Sequence, residues 1–251
     1  MIDTGYTEVG FALILMALAI VLARWQKIGV GKDLIVGTIR SFVQLVAIGY
    51  ALEFIFGLEN LFAILGTLTI MTLVGSYTAA SWSKKIPNSW AISFIAIFLG
   101  TLVTLGLMLA IGIIRAKAQY IIPLGGMIVG NSMNCAALVL ERLHSDISGN
   151  RSAIETALSL GKTWREASAV YFTKAVKAGM MQMLNFFKVV GLVQLPGAMT
   201  GMILAGASPL KAVLIQVIVG YMLTAAVTIT GLIAAHLAIR QMFSPADQLK
   251  I

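Results

Sequence analysis

Long apolar runs, separated by short segments that carry most of the charges, dominate this chain. A helix needs about 20 mostly apolar residues to cross the hydrocarbon core of a bilayer. Runs close to that length occupy residues 9–25, 34–57, 61–82, 90–114, 120–140, 181–207 and 212–239. Lys188, Gln194 and Pro196 interrupt the sixth of them. The pattern predicts an all-α integral membrane protein with about seven transmembrane helices in a single transmembrane domain, 1–251.

Composition excludes an ordinary soluble domain. Charged residues make up 11% of the chain and hydrophobic residues 59%, with a mean hydropathy of +0.94, whereas soluble domains carry about 25% charged residues. The single cysteine, Cys135, excludes an internal disulfide and a cysteine cluster for zinc. Asp3 and Glu8 precede the first apolar run without a basic residue, which argues against a cleaved secretory signal.

Basic residues predict the orientation of the helices. The chain has a pI near 9.7, but its basic residues flank apolar runs, so we expect no nucleic acid partner. With the N-terminus outside, three basic residues fall in outer segments: Arg115, Lys117 and Lys211. Thirteen fall in inner segments: Arg24, Lys27, Lys32, Lys84, Lys85, Arg142, Arg151, Lys162, Arg165, Lys174, Lys177, Arg240 and Lys250. The positive-inside rule therefore predicts a cytoplasmic C-terminus in a multi-pass protein of the inner (plasma) membrane.

The longest polar stretch, about residues 141–179, is then cytoplasmic. Residues 154–160 favour a helix, and Gly161 can end it in a left-handed conformation. Thr163 and Glu166 have the spacing of a capping box that begins a second helix. The sequence thus predicts short cytoplasmic helices between spans 5 and 6, of a kind that fits a groove on a soluble partner.

The spacing Glu155-x-Ala157-x-x-x-Gly161 resembles the EAA loop of ATP-binding-cassette (ABC) permeases, whose short coupling helix docks on the ATPase subunit. Thr156 replaces the usual alanine, and residues 171–174 lack the apolar-x-Leu-Pro tail of importers. The residues that this resemblance assigns to ATPase coupling, with their neighbours, are Glu155, Ala157, Leu160, Gly161 and Trp164.

Gly161-Lys162-Thr163 also matches the end of a phosphate-binding loop. That loop requires a second glycine, separated by four residues from the final Gly-Lys pair, and this position, 156, is threonine. We therefore expect no nucleotide or other cofactor in this chain, and we expect ATP and Mg²⁺ to be bound by a partner ATPase subunit.

Further blocks resemble one small family, the bacterial FetB iron-export permeases and their plant relatives linked to aluminium tolerance. The blocks are residues 40–45 with 49–50, 122–133, 158–161 with 167–169, and 190–201. The resemblance implies a half-size permease that pairs with a second copy of itself and with two ATPase subunits. It suggests iron export, and it leaves aluminium-related or nucleotide-sugar transport and the direction of transport open.

A few polar side chains lie within the predicted spans. Arg40 and Gln44 share one helical face of the second run, where Arg40 either extends to the cytoplasmic headgroups or bonds to another helix. Arg40 would repel a metal cation, which disfavours a substrate contact. Lys188 is expected to extend to the interface in the same way. Glu53, near the outer end of the second run, could attract cations.

The fifth run combines amide and sulfur side chains that either pack between helices or line a path. Amide oxygens with thioether and thiol sulfurs form a mixed hard and soft ligand set, and sulfur alone would favour Cu(I) over iron. The residue types therefore leave the metal unknown. The candidate path residues are Glu53, Met127, Asn131, Met133, Asn134 and Cys135.

Small residues predict close helix contacts. Gly126 and Gly130, and likewise Gly197 and Gly201, have the four-residue spacing that lets helices approach closely. Pro196 is expected to kink the sixth helix beside the second pair. These five residues form the predicted packing or dimer seam.

These observations favour the permease subunit of an ABC transporter. An ATPase-independent secondary transporter or channel is the alternative, although Glu53 is the only acidic residue within a predicted span. A membrane-embedded enzyme would need paired catalytic groups at membrane depth, and the sequence offers none.

Overall fold

The computed structural model describes residues 6–58, 60–83, 85–244 and 246–250. The regular elements in these ranges are α-helices, which confirms the all-α prediction. The helices are α1 Tyr6–Trp25, α2 Gly31–Leu58, α3 Leu61–Ser81, α4 Ser89–Ala110, α5 Ala118–Gly149, α6 Arg151–Ser159, α7 Trp164–Val189, α8 Gly197–Leu204 and α9 Pro209–Met242.

Five helices among the described residues are long and apolar enough to cross a membrane: Gly31–Gly57, Leu61–Ser81, Ser89–Ala110, Ala118–Gly149 and Pro209–Met242. A shorter apolar helix occupies Gly10–Trp25. These helices coincide with six of the seven predicted runs and define a multi-pass membrane protein. The count of seven spans and their orientation stay predictions.

The sixth predicted run, 181–207, is not one helix, so the expected kink inside a continuous span was wrong. The α7 helix ends at Val189, and the backbone N–H groups of Val193 and Gln194 both donate to the Val189 carbonyl, at 2.9 and 3.1 Å. Gly191 follows with a φ of +80°, and Pro196 has no N–H to continue a helix. The result is a non-helical break before α8.

The first two helices form one compact unit, Met1–Glu59. Gly31 lies at the start of α2 against the side chain of Arg24, where an added Cβ would come within 3.1 Å of Arg24 Cγ. Within the most apolar 18-residue window of α2, 0% of the residues are buried in the chain. This helix therefore presents its apolar surface to lipid or to another protein.

The second compact unit, Asn60–Ile251, is organised around α5. Helices α3, α4, α7 and α9 all contact α5, and small residues at the contacts let the backbones come close. A Cβ added to Gly179 of α7 would lie 3.0 Å from the Cys135 carbonyl oxygen. Gly125 of α5 is similarly enclosed by the side chain of Leu68. Close helix contacts at small residues therefore accompany a core of large buried side chains such as Ile97, Leu140 and Leu143.

The polar segment 141–179 differs from the prediction of short helices. The α5 helix continues past its apolar part to Gly149, and Arg142 and Asp146 form an ion pair of 3.0 Å on the extension. The α6 helix is short, with 9 residues, but α7 runs for 26 residues. The prediction of a short second helix was wrong, because α7 continues through Gly179, which is buried against α5 and remains helical.

Candidate functional site

The candidate site is the elbow, residues 151–168, where α6 turns into α7. Ile154 anchors α6 with a side chain that is 1% exposed, and Leu158 packs on the same hydrophobic core. Most other side chains of α6 face away from the protein. The helix is therefore fixed along one edge and presents the rest of its surface.

A tight turn fixes the angle of the elbow. Gly161 adopts a φ of +85°, and its N–H donates to the Leu158 carbonyl at 3.0 Å while the Lys162 N–H donates to Ala157 at 3.1 Å. This pair of bonds is a Schellman motif, which favours glycine at the left-handed position. The predicted left-handed cap at Gly161 is confirmed.

The start of α7 is also closed as predicted. The Glu166 N–H donates to Thr163 Oγ1 at 3.4 Å, and the Thr163 N–H donates to Glu166 Oε2 at 2.9 Å, which completes a capping box. The hydrogen bond from the Thr163 backbone lowers the pKa of the solvent-exposed Glu166 carboxyl from its ordinary value. The elbow is thus held by local bonds on both sides of the turn.

The C-terminal tail, residues 243–244 and 246–250, packs against the elbow. The rings of Trp164 and Phe243 lie 6.0 Å apart, and Phe243 is 5% exposed. Leu249 packs on the same core, and Ser244 Oγ accepts from the Gln248 N–H at 3.0 Å. Sequence reasoning missed the tail, although an aromatic residue after the polar end of α9 was the available signal.

A cavity of about 640 Å³ lies between the elbow and the tail, lined by Glu155, Gly161, Thr163, Asp247 and Leu249 among others. Its walls are the C-terminal end of α6, the turn at Gly161 and the tail, in which the Gln248 N–H bonds to Ser244.

The five predicted coupling residues differ in exposure. Leu160 is 78% exposed and lies beside the exposed Gly161 at the tip of the elbow. Glu155 is exposed and accepts a 2.7 Å hydrogen bond from Arg151 Nε. Ala157 and Trp164 are half-buried. The tip is therefore available to a partner, while Trp164 connects the elbow to the core.

The candidate path residues of α5 do not share one ligand set. Asn131 Nδ2 donates to the Met127 carbonyl of its own helix at 2.8 Å. Cys135 is buried and its Sγ lies 3.5 Å from the Val227 carbonyl oxygen of α9. Met133 packs on the core, whereas Asn134 is exposed. In the described residues, three or more His, Cys, Asp or Glu side chains nowhere gather as a metal site would require.

The polar candidates of α2 belong to the first unit. Arg40, Gln44 and Glu53 are all exposed there. Lys188 is exposed in the last turn of α7, where a basic residue interacts favourably with the helix dipole. The structure leaves each of these groups at a surface.

The predicted seam glycines are mostly open. A Cβ added at Gly130, Gly197 or Gly201 would meet nothing within 4 Å, and one at Gly126 would touch only Met71, at 3.8 Å. Pro196 immediately precedes α8. These glycines therefore do not pack closely against helices of the same chain, and a seam with a second copy stays a prediction.

Sequence reasoning missed a buried polar contact among three helices. Thr230 Oγ1 of α9 lies 3.1 Å from Ser132 Oγ of α5 and 3.3 Å from the Ala96 carbonyl oxygen of α4. Gly100 of α4 faces the same threonine. A single hydroxyl in an apolar run gives no signal of its partner, which lies about a hundred residues away in sequence.

Comparison with known proteins gives consistent matches over nearly the whole chain. A model of the uncharacterised protein family UPF0014 matches residues 6–243. The UPF0014 membrane protein YjkA of Bacillus subtilis is 37% identical over 246 residues, with 98% of each chain covered. Protein ALUMINUM SENSITIVE 3 of Arabidopsis thaliana is 35% identical, with 98% of this chain and 90% of that protein covered.

The probable iron export permease protein FetB of Escherichia coli is 32% identical over 244 residues, with 97% of this chain and 94% of that protein covered. No solved structure matches the chain. These relatives confirm the resemblance that the sequence blocks indicated.

Proposed function

Because the chain belongs to the UPF0014 family of membrane proteins, we propose that it is the permease subunit of an ABC transporter. Two copies would assemble with two ATPase subunits into an ATP-driven export path for a metal ion such as iron. The name of the FetB relative supports the cargo and the direction. The geometry of the elbow supports ATP hydrolysis in a partner as the energy source.

The observation that supports this proposal is that the elbow is held rigidly while its tip, Leu160 and Gly161, is exposed to solvent. Leu160 and Gly161 are exposed, while Ile154 fixes the helix to the core. A helix that only closed a loop would not need a Schellman motif, a capping box and an aromatic contact to hold its angle. A helix that transmits force does, because a flexible contact would absorb the movement of its partner.

The same contacts offer a route for movement into the membrane. The N-terminal end of α6 adjoins the polar end of α5 at Asn150, and its C-terminal end turns directly into α7. Closure of the partner ATPases on ATP would move the elbow as one body and shift α5 against α7. Such rigid-element shifts are a common means of switching between two states of a transporter.

A path between two copies agrees better with the described residues than a path inside one chain. Asn134 and Met127 are exposed on α5, and Gly130 has open space around it. A second copy that packs along this face would bring two sets of amide and thioether groups together. Cys135 would act in packing, since it contacts α9.

The direct test of the partner is co-purification with an ABC ATPase subunit. We expect the wild-type chain to retain the ATPase, and Leu160→Asp or Gly161→Trp to release it while the permease still enters the membrane. Leu192→Asp is the matched control, because Leu192 is 90% exposed in the break after α7. Equal retention by Leu160→Asp and wild type would contradict docking at the elbow.

The alternative is a secondary transporter or channel that works without an ATPase. Its test is transport driven by an ion gradient alone, with Glu53→Gln as the variant that should abolish it. Gradient-driven transport in the absence of ATP would replace the present proposal.

A further inference from the structure

A polar cavity of about 480 Å³ lies away from the elbow, between the α3–α4 connection and the polar end of α5. Ser83 and Lys85 line it from the connection, and Glu141, His144 and Ser148 line it from α5. The volume falls within the range of small-molecule sites, about 300–1,000 Å³. Neither the elbow nor the candidate path uses these residues.

Two buried polar atoms in this cavity have no partner in the described part of the chain. Ser83 is 4% exposed, and its hydroxyl makes no hydrogen bond. Nδ1 of His144 is also unpartnered, while its Nε2 lies 3.5 Å from Ser148 Oγ. Buried polar groups are nearly always hydrogen-bonded, so these atoms indicate a ligand or ordered water in the cavity.

The charges that line the cavity identify the chemistry of that ligand. Lys85 and Glu141 carry opposite charges, yet neither forms an ion pair with any residue that the structure describes. An anion alone would be repelled by Glu141, and a cation alone by Lys85. A zwitterion satisfies both, with its negative end on Lys85 and the Ser83 hydroxyl and its positive end on Glu141.

The surroundings place the cavity at the depth of lipid headgroups. Trp82 lines it with a ring that is 74% exposed, at the end of an apolar helix, where tryptophan typically marks the membrane interface. Ile70, Val74 and Tyr77 are 64%, 51% and 72% exposed. Their spacing forms a continuous row on α3 that ends at Ser81, which also lines the cavity.

We propose that this cavity binds the phosphoethanolamine headgroup of a membrane phospholipid. The phosphate accepts hydrogen bonds from Lys85 and the Ser83 hydroxyl, and the ammonium donates to the Glu141 carboxylate. The acyl chains lie along the exposed row of α3. A bound lipid would tie the α3–α4 connection to α5.

The test is lipid binding to the purified full-length chain in detergent, followed by native mass spectrometry. Phosphatidylethanolamine is compared with phosphatidylcholine of the same acyl chains, because a quaternary ammonium has no hydrogen to donate to Glu141. Soluble glycerophosphoethanolamine is the third probe, since it carries the headgroup without the chains. We expect phosphatidylethanolamine to bind at least about tenfold more tightly than either probe. Phosphatidylcholine lacks the charge-assisted hydrogen bond to Glu141, and glycerophosphoethanolamine lacks the buried acyl chains.

Variants separate the two ends of the headgroup. Lys85→Gln should weaken both lipids about tenfold, and Glu141→Gln should remove the preference for phosphatidylethanolamine without weakening phosphatidylcholine. Both positions are exposed, so folding should persist, as gel filtration and circular dichroism can verify. Lys174→Gln, at an exposed lysine of α7, is the control that should leave binding unchanged.

Three results would overturn the proposal. If Lys85→Gln binds the lipids as tightly as the wild type does, Lys85 does not contact the phosphate. If the wild type binds phosphatidylethanolamine and phosphatidylcholine equally, Glu141 does not accept a hydrogen bond from the ammonium. Glycerophosphoethanolamine that binds as tightly as the lipid would show a soluble ligand. None of these measurements involves the ATPase, so their failure leaves the proposed transport function separately testable.

Discussion

Glycines with close neighbours and glycines in open space give matched pairs of substitutions. Gly179→Ala would place a methyl group 2.8 Å from Cys135 Sγ and 3.0 Å from its carbonyl oxygen, so α7 would have to move away from α5. Overpacking of this kind typically costs about 1–3 kcal/mol. We expect a clear fall in the thermal unfolding temperature of the detergent-solubilised protein.

Gly130→Ala is the control for that measurement, because its added methyl group meets nothing within 4 Å. Its unfolding temperature should match or slightly exceed that of the wild type, since alanine favours helix over glycine. Equal destabilisation by the two variants would show that the α5–α7 contact is looser than described.

Substitutions at Gly161 measure the cost of its backbone conformation separately from any packing effect. Its φ of +85° disfavours residues with a Cβ, and an added methyl group would have open space. Gly161→Ala should therefore cost about 1–2 kcal/mol through the backbone alone, while Gly161→Asn should cost less because asparagine tolerates this region. Thermal unfolding of both variants checks the order, and a less stable Asn variant would contradict it.

Local signals explain which residues the sequence could predict. Gly161, Thr163 and Glu166 were identified correctly because caps depend on spacing within a few residues. The close-packed glycines were not, because Gly125 is enclosed by Leu68 and Leu105 of two neighbouring helices, whereas Gly126 only touches Met71 at 3.8 Å. That information lies in α3 and α4, and no pattern within α5 contains it.

At the scale of the helices, the first turn of α7 should depend on its capping box. Thr163→Ala removes the side-chain acceptor for the Glu166 N–H, a loss that typically costs about 1 kcal/mol. Hydrogen exchange of the first-turn amides should accelerate several-fold. Thr173→Ala is the control, since Thr173 bonds only to the Ala169 carbonyl of its own helix, and its exchange at the first turn should not change.

The same cap predicts a dependence on pH. The folded state lowers the pKa of Glu166 below its ordinary value of 4.5. The ionised carboxylate therefore stabilises the cap above about pH 4.5, and this stabilisation is lost as pH falls through the lower, folded-state pKa. Hydrogen exchange of the first-turn amides of α7 should show this loss of protection at low pH, and Glu166→Gln should remove the dependence on pH. An unchanged acid profile in that variant would contradict the assignment.

Helix boundaries were predictable where apolar runs ended in polar residues, and not elsewhere. The apolar content of residues 181–207 predicted one span, although Lys188, Gln194 and Pro196 interrupt it. The break occurs within it because Gly191 adopts a positive φ and Pro196 cannot donate. Composition alone does not distinguish a kinked span from two helices joined by a turn.

At the scale of the whole molecule, the charge distribution predicts topology. The cysteine-free Cys135→Ala background permits single cysteines to be labelled, because the chain has 1 cysteine. In intact cells or spheroplasts, a cysteine at Lys117 should react with a membrane-impermeant maleimide, and one at Lys162 should react only after permeabilisation. The reverse pattern would invert the predicted orientation.

The fold class and the family could be predicted from the sequence, but the assembly could not. The lengths of the apolar runs sufficed for a multi-pass membrane protein, and the blocks 40–45, 122–133 and 190–201 sufficed for the family. The α2 helix has no buried residues in its most apolar 18-residue window. The sequence does not contain the lipid or protein surface that covers it. The partner ATPase and the second copy lie outside this chain, so only exposed surfaces such as the elbow tip at Leu160 indicate them.

The most direct test of the central claim is metal transport in proteoliposomes that contain this chain with its partner ATPase. Inside-out vesicles should accumulate iron only with hydrolysable ATP, and Gly161→Trp should abolish accumulation while Leu192→Asp preserves it. A panel with copper, manganese and aluminium defines the cargo. Accumulation without ATP, or at the wild-type rate in Gly161→Trp, would contradict an ATP-driven permease coupled through the elbow.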